Sequence, residues 1–441
     1  MLEHILLSKS AADQEAMPHV LHYDPWLTAD GDNLIAFSRR VFELVGPPLI
    51  TPGRKHRADA ELRRMACTET LVANLVMATL TPSRYEGLAV PLGNGKLTRY
   101  NRRDFSTDIL RLVIDEASAA GLVAINEAIF KERRTIIVPT QTFQKLIVEY
   151  AISLADVGHL EGGETIELWA GSRRSGHKTP VDYEDCREAD AMRAEMRAIN
   201  QTLNDADIRL DGYGTGPIRL VRKFRIDRPE DAQKFDRHGR LYGGFWEGLP
   251  KDRRHLLTIG GEPVVDLDFA SMFLQLAYIR CGAEPPIGDL YTIPGLEGHR
   301  TTVKSLMVSL FFRNAEARRL PLGAKGALPS GWSMERFKAA AMLAHPAISL
   351  FFDTNVGFEL MALESDILVG ILLELARNGV AALPMHDGIM TAASKKNFAA
   401  ATMEKVSALR AGRPLLVVEK AIPIPSPNNS PLWTTRDALQ G

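Results

Sequence analysis

Two short stretches place acids where strands would end. In GGEPVVDLDFASMFLQLAY (260–278), Val264 to Phe269 alternates as a strand, which sets Asp266 and Asp268 on one face. The residues after it, Ala270 to Tyr278, read as a helix. In LPMHDGIM (383–390), Val380 to Met385 reads as a strand, His386-Asp387-Gly388 as a tight turn and Ile389 to Thr391 as the returning strand. A strand-end acid facing a hairpin-tip acid across a cleft can share divalent ions. Mg²⁺ prefers hard oxygens and keeps waters, so one or two carboxylates plus substrate phosphates suffice. Either acid alone reads equally well as an ordinary surface or turn aspartate.

Between them lies GHRTTVKSLMVSLFFRNAEARR (298–319), with a helical pattern. Arg300, Lys304, Val308, Phe311 and Phe312 share one face. Cations followed by aromatics on one stripe suit a triphosphate at one end and a stacked base at the other. A lysine there can protonate a leaving pyrophosphate. The bland alternative is an amphipathic helix whose cations snorkel to solvent.

The order acid strand, Arg-x3-Lys helix, His-Asp hairpin resembles the family A DNA polymerases and the phage-type single-subunit RNA polymerases. Asp268 and Phe269 match the opening of their first motif. Arg300, Lys304 and Phe312 match the second, with Phe for the usual tyrosine, and His386 and Asp387 match the third. DRHGRLYGGFWEGLPKDRRHLL (236–257) is similar to the segment that holds template and primer backbone, with Arg240 as its arginine and Arg253 and Arg254 beside it. RPLLVVEKAIPIPSPNNSPLW (413–433) is similar to the closing strand and terminal Trp. The resemblance covers about residues 236–433.

It implies a polymerase right hand of α+β class, an antiparallel palm sheet with helical fingers and thumb. It implies two Mg²⁺ ions (Mn²⁺ is an alternative) on Asp268 and Asp387, a nucleic acid template and primer, and nucleoside triphosphates. Arg300 and Lys304 would meet the phosphates, Phe312 the nascent base pair, and His386 the primer-terminal phosphate. The residue five after the first acid packs under the incoming sugar in this superfamily; here it is Phe273. A Phe ring crowds a 2′-hydroxyl and Phe312 has no hydroxyl to greet one, so dNTPs are favoured. Two departures stand out. Gly388 replaces the glutamate that follows His-Asp in the DNA polymerases, and the span between the second and third motifs is short, which implies reduced fingers. No upstream acid cluster resembles a proofreading exonuclease.

Four segments are expected to position these residues: an extension (1–58), a winged-helix-like DNA-binding domain (59–158), a linker with a thumb-like helical region (159–235) and the palm and fingers (236–441). The second rests on FSTDILRLVIDEASAAGLV (105–123), a helix ending at Gly121, followed by two β-like runs around the basic tip FKERR. Residues 160–180 read as a Gly- and charge-rich linker and Glu184 to Asp207 as a charged helix.

The 441 residues carry a net charge of -1, which does not advertise a nucleic-acid binder. Arg219 to Arg254, however, holds eleven Lys/Arg against six Asp/Glu, a local excess of five. Three scattered cysteines suggest neither a disulfide framework nor a zinc site. No run of 18 apolar residues and no signal-peptide pattern is read, so the cytoplasm is expected and no membrane partner. The expected function is DNA-dependent DNA synthesis without proofreading, of the kind that serves a mobile element or phage-like replicon. The alternatives are a primase or RNA polymerase of the same fold, and a DNA-binding replication initiator with an inactive palm.

Overall fold

The computed structural model describes residues 20–46, 59–81, 85–93, 97–126, 135–171, 178–314, 320–321, 324 and 326–424. The buried apolar residues divide into two cores, one built between Tyr23 and Val157 and the other between Ile166 and Leu415.

The first core lies under a sheet of order β1-β3-β5-β4: β1 (Val20–His22), β3 (Gly87–Val90), β4 (Val123–Asn126) and β5 (Thr135–Pro139), with β2 (Leu27–Ala29) pairing β6 (Val157–His159). Its helices are α1 (Asp32–Leu44), α2 (Ala60–Leu80), α3 (Thr107–Ala119) and α4 (Gln141–Glu149). Leu34 and Phe37 of α1 are fully buried in this core, so the expected extension packs with the segment after it. The expected helix-then-hairpin is α3 followed by antiparallel β4 and β5; its basic tip lies outside the described residues. The exposed positions of α3 are Asp108, Arg111, Leu112, Asp115 and Ala119, more acidic than basic. A recognition helix needs the opposite balance to approach phosphates, so the winged-helix reading gains nothing from the structure.

The second unit is mixed α/β. Strands β7 (Ile166–Ala170), β8 (Thr179–Pro180), β11 (Val221–Ile226) and β12 (His238–Tyr242) form one sheet of order β12-β11-β7-β8. The expected linker therefore holds a sheet strand. Ile166, Leu168 and Ala170 do alternate inward, but five residues framed by glycine and charge are too short a signal. The larger, antiparallel sheet runs β10-β9-β13-β14-β16-β15, and β17 also pairs β14. Its strands are β9 (Ile208–Leu210), β10 (Tyr213–Gly214), β13 (Leu257–Ile259), β14 (Glu262–Phe269), β15 (Ala382–Met385), β16 (Gly388–Ala392) and β17 (Val417–Lys420).

Around these lie α5 (Arg187–Asp205), α6 (Met272–Arg280), α7 (Arg300–Phe311), α8 (Met334–Ala344), α9 (Gly357–Arg377) and α10 (Lys396–Ala411). Helix α9 is apolar over most of its surface and touches β12, β15, α5, α6 and α10. It thus ties the two sheets together. Asn378 caps it and Gly379, at φ +65°, turns the chain into β15. Helix α7 is shorter than its sequence pattern suggests and ends at Phe311; residues 315–319 lie outside the described set, as does Trp433. Among the described residues no helix is long and apolar enough to cross a membrane.

Candidate active site

Strand β14 is flanked by β16 on one edge and by β13 and β17 on the other. Its central place explains why Asp266 and Asp268 are 7% and 3% exposed although charged. The register sets Asp268 opposite Gly388, and the Phe269 N–H donates to the Asp387 carbonyl oxygen at 3.3 Å. The strand-end acid and the hairpin-tip acid are therefore neighbours through the backbone. The turn is pinned from behind: Trp246, fully buried, donates its indole N–H to the Pro384 carbonyl at 2.8 Å.

The two turns beside the acids hold non-glycine residues in left-handed backbone, Ser271 at φ 52° and His386 at φ 57°. Each such residue costs about 1 kcal/mol or more and persists where the surroundings over-determine it.

Burial pushes the Asp387 carboxyl above the usual carboxylate range, while Lys304 and Arg240 pull it back. Burial likewise raises Asp266, opposed by Lys420 and Arg254. The Lys420 ammonium, on β17 in register with Asp266, contacts Asp268 Oδ2. Asp268 Oδ1 is buried with no hydrogen-bond partner among the described residues. Among the described residues no group of three or more His, Cys, Asp or Glu is arranged to hold a metal. The pair Asp268 and Asp387 still fits an ion that brings its own waters and phosphates, because one buried carboxylate oxygen is left unpaired.

Arg240, on β12, points into the same place. Its Nε donates to Glu364 Oε1 at 2.7 Å, its charge is felt at Asp387 and at His386, and its guanidinium carbon lies 6.0 Å from the Phe273 ring centre. His386 is held down to about 4 by burial and by Arg240, so it is neutral near pH 7. Its ring centre is 6.4 Å from that of Tyr242.

Phe273 and Phe312 meet with ring centres 5.6 Å apart, and Phe358 stands edge-on to Phe312 at 5.1 Å. Phe312 differs from its expected place. It caps α7 instead of continuing its stripe, and it is 2% exposed, so in this state it backs Phe273 and presents no open stacking face.

Arg300 and Lys304 share the α7 face as expected, but Arg300 is engaged by both oxygens of Asp289, at 2.5 and 2.9 Å. Both cations lie over the Tyr291 ring, at 5.3 and 5.9 Å. Tyr291 is buried; burial and the Asp387 charge raise its hydroxyl well above the usual phenol range, and Ser271 hydrogen-bonds it. It thus links the cationic helix to the turn at Ser271 and lies within the field of Asp387. Arg254, expected among the nucleic-acid-binding residues, donates to Asp266 Oδ2 at 3.2 Å and so partners the acid strand. Arg253 is half-buried in the neighbouring turn, Lys251–Leu256.

Sequence reasoning overlooked Glu364, Tyr291 and Lys420. Glu364 is one of four acids on α9, with Glu359, Asp366 and Glu374, so nothing in the sequence singled it out. Nothing local marked Tyr291 or Lys420. A separate open cavity between α5 and α9, lined by Arg222, Arg280, Glu359 and Asp366, contains none of these site residues.

No protein-family model and no curated protein matches the chain. Among solved structures it is similar to the POL domain of Pol1 from M. smegmatis, in complex with DNA primer-template and dNTP. The identity is 10% and the TM-score 0.33, over 89% of this chain and 66% of that one, just under two thirds of its length. At that level the likeness is distant.

Proposed function

We propose that this chain is a template-directed nucleotidyl transferase, a DNA polymerase without proofreading, with a right-hand architecture whose palm is the β14–β16 sheet. The observation that carries the reading is the register that sets Asp268 opposite Gly388 and ties Phe269 to Asp387. Two sequence motifs that lie far apart in the chain are thereby neighbours in one sheet, which supports the reading.

Asp268 and Asp387 would hold Mg²⁺, with Mn²⁺ as a substitute. When bound, the ions lower the pKa of a primer 3′-hydroxyl and steady the triphosphate. The chain's own residues do the rest. Lys304, whose field reaches Asp387, neutralises the departing phosphates and gives a proton to the pyrophosphate. Arg300 exchanges Asp289 for a phosphate, a bidentate match its fork suits. Arg240 and neutral His386 hold the primer end, and Arg253 the nearby backbone. Arg254 keeps Asp266 in place. Phe273, backed by Phe312, closes the sugar site with an apolar wall, which disfavours a 2′-hydroxyl.

Extension of a primed DNA template with Mg²⁺ tests this, with wild type beside Asp268→Ala. The expected loss in the variant is about a thousandfold or more. Equal activity in the two proteins overturns the reading. Strong incorporation of rNTPs on an unprimed template would transfer it to a primase or RNA polymerase.

A further inference from the structure

Helix α9 buries a carboxylate that the two-carboxylate chemistry does not use. Glu364 is 0% exposed, on a helix whose neighbours are Leu360, Met361, Ile367 and Leu368. Two nitrogens of Arg240, Nε at 2.7 Å and Nη2 at 2.6 Å, converge on its Oε1. Oε2 is buried and has no hydrogen-bond partner among the described residues.

A purely structural ion pair would be expected to satisfy both oxygens, and apolar residues of equal volume would hold the fold as well or better. Two guanidinium nitrogens drawn to one buried oxygen hold the group in a single orientation. The strand is fixed too: the Gly239 carbonyl, next to Arg240, accepts from Ser365 Oγ on α9 and from Arg222 Nε at 3.0 Å. A long, flexible arginine is thereby held in one place before any ligand arrives. Burial raises the Glu364 carboxyl to about 7, and the charges of Arg240, Asp387 and Lys304 all act on it, so it lies within the field of the site.

We propose that Glu364 is a positioning residue of the transfer reaction, which aims Arg240 at the primer end beside Asp387. The inference rests on the reading of Asp268 and Asp387 given above.

The test uses the full chain and a fluorescent primed DNA template. Binding is read by anisotropy, extension by the split between KM for primer–template and kcat, and folding by thermal melting. Glu364→Gln is expected to fold and to weaken primer–template binding about tenfold, an effect of the size a truncated polar anchor has. Arg240→Ala and Arg240→Ala/Glu364→Gln are expected to lose the same amount as each other, because the glutamate acts through the arginine. Unchanged binding by folded Glu364→Gln overturns the proposal. So does a further loss in the double variant.

Should Glu364→Gln not fold, Arg240→Met is compared with Arg240→Met/Glu364→Leu, which replaces the buried pair by apolar groups. Equal primer–template binding by the two supports the proposal, and a tenfold difference overturns it. If wild type itself extends no primer, the nucleotidyl-transfer reading fails, which is a different result from either.

Discussion

Gly388 stands directly opposite Asp268 across β14 and β16, so close that a Cβ on residue 388 would lie 2.4 Å from the Leu267 carbonyl oxygen and 3.0 Å from Asp268 Oδ1. The close approach leaves no room for a third acid at this position, whatever the resembled DNA polymerases place there. Gly388→Ala must push one strand from the other. A loss of about 1–3 kcal/mol is expected, in the range of overpacked cores, with a loss of any activity that depends on Asp268. Thermal melting of the variant checks it; an unchanged melting temperature contradicts the contact.

The Phe273–Phe312 pair predicts sugar preference. If Phe273 lines the sugar site as proposed, Phe273→Val opens that wall and leaves Phe312 to cover the gap. Discrimination against rNTPs is expected to fall by roughly tenfold or more, since a pocket change of a few methylenes is worth about 1–3 kcal/mol. Competition between dNTP and rNTP on a primed template measures it. If the ratio stays constant, Phe273 does not line the sugar site.

Lys420 supplies the cation that meets Asp268. Its side chain is 49% exposed, so the pair contributes modestly, about 1 kcal/mol or less. Lys420→Met is expected to melt below wild type without divalent ions. Added Mg²⁺ should raise the variant's melting temperature more than that of wild type, because the ion then neutralises carboxylates that no lysine covers. Equal shifts in the two proteins would argue that Lys420 and the ion do not share these carboxylates.

His238 predicts an acid-sensitive fold. Burial presses its imidazole down to about 3, and the ring is fixed by the Lys223 carbonyl at 2.8 Å and by Tyr242. The unfolded imidazole takes its proton near pH 6.5. The neutral ring therefore contributes fully above about pH 6.5, and that stability is lost as the pH falls towards 3. Glu247, raised by burial to about 7, acts in the other direction, favouring the fold below about pH 4.5 and less as the pH rises through 7. The difference between wild type and His238→Gln isolates the first effect. Melting from pH 7 to pH 4 should show wild type losing stability faster than the variant; parallel curves would remove His238 as the cause.

Several elements were legible because their signals are local. The alternation of Val264 to Phe269 and the turn at His386-Asp387-Gly388 are short-range patterns, and β14 and β16 follow them closely. Strand β7 was hidden because a five-residue run gains its identity from a partner, β11, some fifty residues away. Phe312 was misplaced because helix periodicity was carried one residue past the point where α7 ends.

The sequence by itself determined which side chains are available for chemistry and their order along the chain: Asp268, then Arg300 and Lys304, then His386 and Asp387. It also determined that residue 388 has no side chain. Only the tertiary structure decided which of these meet. Strand register put Asp268 beside Asp387, packing turned Phe312 onto Phe273, and α9 brought Glu364 to Arg240 across 124 positions of sequence. The physical reason is that a propensity or a turn acts over a few residues. A buried charge is tolerated only where a partner from elsewhere in the chain arrives to meet it.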